Sequence, residues 1–130
     1  MTPKNWRAFF WVAAIFNFMA GLPPLLAPSL TAASLGMPAP DPQYLFIVQM
    51  FGAAVSIFGI GYAMVAAGQA GQRQIITLGL IGKICVVALL ALRALEIDVP
   101  QQMATAAAGD FLFSIGFAAF LLTHATTSKA

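Results

Sequence analysis

Four long apolar stretches occupy most of this 130-residue chain and constrain its fold more than any other feature. They cover about residues 6–22, 43–67, 74–95 and 103–123. A helix of about 20 apolar residues can cross the hydrocarbon core of a bilayer. The stretches are too long and too evenly apolar for the roughly 10-residue alternating strands of an outer-membrane barrel. The sequence therefore predicts an all-α, polytopic membrane protein: a bundle of four transmembrane helices in a single membrane domain, residues 1–130.

The composition agrees with this class and excludes several functions. The chain is 61% hydrophobic and 8% charged, whereas soluble domains are about 45–50% apolar and about 25% charged. The six Lys and Arg residues are scattered without a run, so the net charge of +2 gives no reason to expect a nucleic-acid partner. The lone Cys85 and the lone His124 exclude an internal disulfide and clustered zinc or bis-histidine haem ligation. We expect the lipid bilayer as a partner, and no metal or cofactor.

The first span is predicted to end at Pro23 and Pro24, because two consecutive prolines remove backbone donors. A cleaved signal peptide is the competing interpretation, since Lys4 and Arg7 precede the apolar run and small residues follow it. The double proline and the odd number of spans that cleavage would leave favour a membrane span.

A short helix lying at the membrane interface is predicted over residues 28–37. Pro28 suits the first turn of a helix and Gly36 suits its C-terminal cap. An ordered loop is the alternative. Aromatic residues near the span ends are predicted to anchor the chain in the headgroup layer; they are Trp6, Trp11, Tyr44 and Tyr62.

The distribution of positive charge predicts the orientation. With four spans, Lys4, Arg7, Arg73 and Lys129 lie on one side of the membrane, and Arg93 lies near the other. The positive-inside rule then places both termini in the cytoplasm of a bacterium, with the protein in the inner membrane.

Two charged residues interrupt the apolar spans: Lys83 in the third and Asp110 in the fourth. An intramembrane charge costs about 2.5–3.5 kcal/mol on insertion scales, so it usually has a partner or faces a cavity. Helix rise places Lys83 roughly 13 Å and Asp110 roughly 20 Å from the cytoplasmic end. Because antiparallel neighbours joined by a short loop pack side by side, the two side chains can form a pair.

Asn17 in the first span and Gln49 in the second complete the predicted intramembrane polar site, which comprises Lys83, Asp110, Asn17 and Gln49. These groups could line a cavity for a ligand, or they could only hold the helices together through interhelical hydrogen bonds. No catalytic residue is assigned, because the sequence contains no recognised catalytic template.

Small residues on three of the spans would let helix backbones approach closely. Spacing alone does not separate such a packing notch from the wall of a ligand pocket. The predicted helix-packing residues are Gly52, Ser56, Gly59, Gly79, Gly82, Gly109 and Gly116.

Short glycine-containing patterns along nearly the whole chain resemble those of small, broadly DoxX-like bacterial four-helix membrane proteins. The patterns are Asn-x-x-x-Gly-x-Pro at 17–23, Phe-Gly and Gly-x-Gly-Tyr within 51–62, Gly-x-x-Gly-Lys at 79–83, and Gly-Asp-x-x-Phe at 109–113. Some members carry Arg where this chain has Gln49. The resemblance implies at most an accessory role beside quinone-linked oxidoreductases, and it transfers no catalytic residue.

Three functional hypotheses follow. The first is a membrane protein, expected to be oligomeric, whose Lys83 and Asp110 bind or translocate a small ligand, lipid or ion. The second is an accessory or assembly subunit that uses a small-residue face, such as Gly52, Ser56 and Gly59, to bind another membrane protein. The third and weakest is an enzyme acting on a membrane-soluble substrate, because no nucleophile or redox centre is evident.

Overall fold

The computed structural model describes residues 2–38, 41–69 and 72–124, which form five α-helices and no strand. The helices are α1 (Pro3–Leu26), α2 (Pro28–Ser34), α3 (Pro42–Ala66), α4 (Gln72–Arg93) and α5 (Gln101–Thr123). All but the short α2 are long and apolar enough to cross a membrane. The predicted all-α class, with four such helices and a short helix after the first, is confirmed.

The chain divides into two compact units, Met1–Ala67 and Gly68–Ala130. In the first unit α1 packs along α3, and α2 contacts both; we call α1 and α3 the first helix pair. In the second unit α4 packs along α5, and these form the second helix pair. The division follows contacts within each pair and leaves the single-domain prediction untested.

Large apolar side chains are exposed along all four long helices, as expected for surfaces that face lipid. Among the most exposed are Met19, Leu26, Ile57, Leu78, Leu89, Leu112 and Leu122. Of the four predicted aromatic anchors, Trp11 and Tyr44 are exposed, whereas Trp6 and Tyr62 are buried. The anchor interpretation is therefore wrong for the last two, which contribute to packing.

The first helix does not end at the double proline, as the sequence suggested, but continues through Pro23 and Pro24 to Leu26. Proline has a backbone φ that suits a helix, and only its missing donor and its ring oppose one. Packing against α3 holds this turn in place, since Pro24 is buried beside Gly52. The amide of Ala27 then bonds to the Pro23 carbonyl at 2.8 Å and closes the helix.

The segment after α1 forms the predicted short helix, α2, and ends at the predicted glycine. Gly36 has a φ of +70°, a left-handed conformation that glycine adopts without steric cost. Its amide bonds to the Ala33 carbonyl at 3.0 Å and the Met37 amide to the Ala32 carbonyl at 3.1 Å, the pair of bonds that defines a Schellman cap.

Two of the three helices that begin with proline, α1 and α3, have a polar side chain as their N-terminal cap. At α1, Thr2 accepts a hydrogen bond from the Asn5 amide at 3.3 Å. At α3, the Asp41 carboxylate accepts one from the Tyr44 amide at 2.8 Å. These caps satisfy backbone donors that the first turn of a helix leaves without partners.

Candidate intramembrane polar site

The two charged residues inside the predicted spans are paired with each other in the second helix pair. Lys83 lies on the buried face of α4 with Ile76 and Gly79, and its ammonium group donates a hydrogen bond to Oδ1 of Asp110 on α5. The lysine side chain is 5% exposed and the aspartate side chain 17% exposed. The site is therefore a buried, charge-assisted pair with no net charge.

Two aromatic rings flank the lysine. Its Nζ lies 5.4 Å from the ring centroid of Phe113 and 6.0 Å from that of Phe117. Both distances allow a cation–π attraction, which is stronger where water is excluded. The aromatic rings thus stabilise the ammonium charge in an apolar setting and supplement the carboxylate.

One carboxylate oxygen of Asp110, Oδ2, is available to accept a hydrogen bond. Its backbone carbonyl accepts a hydrogen bond from Ser114 at 2.8 Å, and its Oδ1 accepts from Lys83. Within residues 2–38, 41–69 and 72–124, no donor contacts the other carboxylate oxygen, Oδ2. Because this side chain is more exposed than Lys83, Oδ2 can accept a hydrogen bond from a bound molecule.

The other two predicted site residues bond within the first helix pair. Asn17 on α1 donates through Nδ2 to the Val55 carbonyl of α3 at 3.2 Å. Gln49 on α3 donates through Nε2 to the Leu25 carbonyl of α1 at 3.3 Å. Each amide joins two helices by a neutral bond to a backbone carbonyl, a contact that suits helix association in a membrane.

The two helix pairs repeat one arrangement, which the sequence analysis missed. At the start of α1, Arg7 donates through Nε to the Ala66 carbonyl at the end of α3, at 2.9 Å. At the start of α4, Arg73 donates through Nη1 to the Leu121 carbonyl near the end of α5, at 3.1 Å. In both pairs an arginine thus caps carbonyls that the end of the partner helix leaves unsatisfied, where a cation is also favoured by the helix dipole.

The polar contact inside each pair stands at the same distance along the chain from this arginine cap. Asn17 follows Arg7 by ten residues, and Lys83 follows Arg73 by ten residues. On the acceptor side, the interval from Val55 to Ala66 equals the interval from Asp110 to Leu121, eleven residues. Lys83 and Asp110 therefore occupy the positions that Asn17 and Val55 occupy in the first pair.

Each buried position of the second pair corresponds to a buried position of the first. The correspondence adds 66 to a residue number in α1 and 55 to one in α3. It matches Phe10 with Ile76, Ala13 with Gly79, Asn17 with Lys83, Gly59 with Ser114, Tyr62 with Phe117, and Val65 with Phe120. The equal spacing of Arg7 to Asn17 and Arg73 to Lys83 is the sequence signal that could have revealed this repeat.

Glycines bring α1 and α3 into backbone contact beside the polar bond. A Cβ added to Gly52 would lie 2.5 Å from the Leu25 nitrogen, and one added to Gly21 would lie 2.6 Å from Ser56 Oγ. One added to Gly59 would lie 3.1 Å from the Phe18 ring. The predicted packing residues Gly52, Ser56 and Gly59 thus face α1, and Gly21 is a contact that the prediction did not include.

The predicted small residues of the second pair differ in burial. Gly79 is buried on α4 one turn before Lys83, while Gly82, Gly109 and Gly116 are half-buried. Their helix-packing role stays a prediction.

The second pair has a shallow, open apolar groove of about 280 Å³ on the side of Asp110 towards the α4–α5 turn. It begins one helical turn from the ion pair, because Val87 follows Lys83 by four residues and Ala107 precedes Asp110 by three. Its lining consists of Val87, Leu90, Ala91, Ala94, Val99, Ala104, Ala107, Ala108 and Phe111.

The first helix pair closes the corresponding region. Val87 corresponds to Gly21 and Ala107 to Gly52, the two glycines at which the α1 and α3 backbones touch. Gln49, which corresponds to Ala104, spans the same region through its bond to Leu25. The fold can therefore close this part of a helix pair, and the second pair carries side chains that leave it open.

The rest of the described chain offers little other chemistry. Among residues 2–38, 41–69 and 72–124 there is no cluster of three His, Cys, Asp or Glu side chains that could hold a metal ion. Arg93 and Glu96 form an ion pair at 2.6 Å, but both are about 60% exposed, so it contributes little stability. Lys129, which entered the orientation argument, lies outside the described residues.

Comparisons with protein-family models, curated proteins and solved structures found no match to this chain.

Proposed function

We propose that this integral membrane protein binds or translocates a small ligand, lipid or ion at the Lys83–Asp110 pair. The observation that carries the proposal is the difference between the two helix pairs at equivalent positions. In the first pair a neutral bond from Asn17 to the Val55 carbonyl joins the helices. In the second pair an ion pair stands there. Because this chain joins two helices without charge at the equivalent position of the first pair, the charges exceed what helix pairing requires.

The energetic cost of the pair supports a functional role. Burial of an ion pair is commonly no more stabilising than packing apolar side chains of similar volume. Ionisable residues inside membranes commonly mark ligand, ion and proton pathways. The free Oδ2 atom of Asp110 and the adjoining apolar groove supply an acceptor and a space beside it.

The alternative of an accessory or assembly subunit was based on a small-residue face of α3, which is not available to a partner. Gly52, Ser56 and Gly59 are buried, and they face α1 within the same chain rather than a partner. The DoxX-like resemblance, the bacterial inner membrane and the cytoplasmic location of both termini belong to our proposal as expectations. An enzymatic role has the least support, since the pair provides proton donors and acceptors only.

Extraction of retained small molecules tests the proposal. The wild type and Asp110→Asn are purified from membranes in mild detergent, and the organic extracts are compared by mass spectrometry. We expect a stoichiometric small molecule in the wild-type extract and its loss from Asp110→Asn, which preserves side-chain shape but removes the charge. Equal retention by the two proteins would contradict a ligand role for the pair.

A further inference from the structure

We infer that the groove beside the ion pair binds the apolar chain of an uncharged amphiphile whose hydroxyl group donates a hydrogen bond to Asp110. This inference rests on the proposed function and specifies the class of ligand. It combines three observations: the volume and apolar lining of the groove, the neutrality of the pair, and the free carboxylate oxygen.

The groove determines the apolar part of the ligand. Every lining residue is apolar, from Val87 and Leu90 on α4 to Phe111 on α5, so a polar molecule would lose its hydration there without gaining partners. The volume of about 280 Å³ lies just below the roughly 300–1,000 Å³ typical of small-molecule sites. An elongated hydrocarbon chain fits these properties.

The ion pair determines the polar part. Lys83 and Asp110 already balance each other, so a charged headgroup would leave an uncompensated charge in an apolar setting. An uncharged headgroup avoids this cost. Oδ2 of Asp110 is an acceptor with no donor in the described part of the chain, which selects a headgroup that carries a donor such as a hydroxyl.

The groove and the Asp110 carboxylate are close enough along the helices for one molecule to reach both. Val87 and Ala107 line the groove one turn from Lys83 and Asp110, so one molecule can place its chain in the groove and its headgroup at the carboxylate. The shared packing of the two helix pairs does not by itself produce a groove, because in the first pair the backbones touch at Gly21 and Gly52 in the corresponding region.

The test uses three probes that share one hydrocarbon chain and differ in the headgroup. They are monoolein, which is uncharged and carries hydroxyls; methyl oleate, which is uncharged and has no donor; and oleate, which is charged. Saturable binding of each radiolabelled probe is measured on the purified full-length protein in mild detergent. We expect monoolein to bind at least about tenfold more tightly than either of the other probes.

Groove-filling variants locate the chain. Ala107→Phe places a ring inside the groove, and Ala108→Leu is a milder second variant at a neighbouring lining position. Ala88→Phe, on an exposed position of α4, adds the same ring outside the groove and is the matched control. We expect monoolein affinity to fall about tenfold or more in the groove variants and to stay unchanged in the control.

The outcomes separate this inference from the proposed function. If Ala107→Phe and Ala108→Leu bind monoolein like the wild type, the groove assignment is overturned. If oleate or methyl oleate binds as well as monoolein, the headgroup assignment is overturned. In both cases the proposed function still stands or falls on ligand loss from Asp110→Asn. Nonsaturable binding of all probes, unchanged in every variant, would mean bulk lipid only and would overturn the inference.

Discussion

Lys83 on α4 donates a hydrogen bond to Asp110 on α5, and the equivalent position of the first helix pair holds an uncharged bond from Asn17 to the Val55 carbonyl. The same frame of arginine caps and buried positions surrounds both contacts. The first helix pair is therefore an internal reference for what helix packing alone requires.

Removing one member of the ion pair should destabilise the protein strongly, whereas replacing both members with apolar residues should change its stability little. We expect Lys83→Met to lower the free energy of unfolding by about 3–5 kcal/mol, because Asp110 is left buried without its partner. The double variant Lys83→Met with Asp110→Leu should recover most of this loss. Unfolding by SDS in mixed micelles measures both. A double variant less stable than either single variant would show that the pair is required for folding.

The neutral contact of the first pair should be purely structural. Asn17→Leu removes the bond to the Val55 carbonyl, and we expect a loss of about 1 kcal/mol in the free energy of unfolding. Ligand retention should not change. Retention that falls in Asn17→Leu as far as in Asp110→Asn would show that the amide belongs to the binding site.

The contact between α1 and α3 should not tolerate a side chain at Gly52. A Cβ there would lie 2.5 Å from the Leu25 nitrogen, so Gly52→Val must push the two backbones apart. We expect a loss of about 1–3 kcal/mol on SDS unfolding. Ala54→Val, two residues away on the exposed side of α3, is the control and should be near neutral. Equal stability of the two variants would contradict the close helix approach.

The arginine caps should protect the ends of their partner helices. Arg7→Met removes the donor to the Ala66 carbonyl, and we expect faster amide hydrogen exchange in the last turn of α3. Lys4→Met removes a charge from the exposed first turn of α1 without removing that bond and serves as the control. If both variants exchange alike, the contact does not act as a cap.

Membrane topology gives an independent check on the orientation. In a Cys85→Ala background, Asp98→Cys should react with a membrane-impermeant maleimide in intact cells, because the α4–α5 turn is predicted to face the periplasm. Thr2→Cys should react only after the cells are opened. The reverse pattern would show that the termini face outward.

Much of the architecture could be predicted from the sequence, because spans are specified by length and hydrophobicity alone. The order of the four long helices is of this kind, whereas the short α2 and its cap follow from the local preferences of Pro28 and Gly36. The end of α1 was predicted wrongly, since packing of Pro24 and Gly21 against α3 overrides the local effect of the prolines. Local sequence does not carry that information.

Part of the candidate site could also be predicted from the sequence. Lys83 and Asp110 stand out because charges are rare in apolar spans, and their depths along adjacent helices are similar. The groove could not be predicted, because it depends on how the side chains of α4 and α5 fill the space beside Val87 and Ala107. The free oxygen of Asp110 likewise depends on side-chain geometry that no spacing rule provides.

Native mass spectrometry in mild detergent is the decisive experiment on the Lys83–Asp110 pair. It compares the wild type, the double variant Lys83→Met with Asp110→Leu, and Asn17→Leu. We expect a retained non-protein mass on the wild type and on Asn17→Leu, and its loss from the double variant, which remains folded. A folded double variant that carries the same mass as the wild type would contradict the account and make the Lys83–Asp110 pair a structural contact.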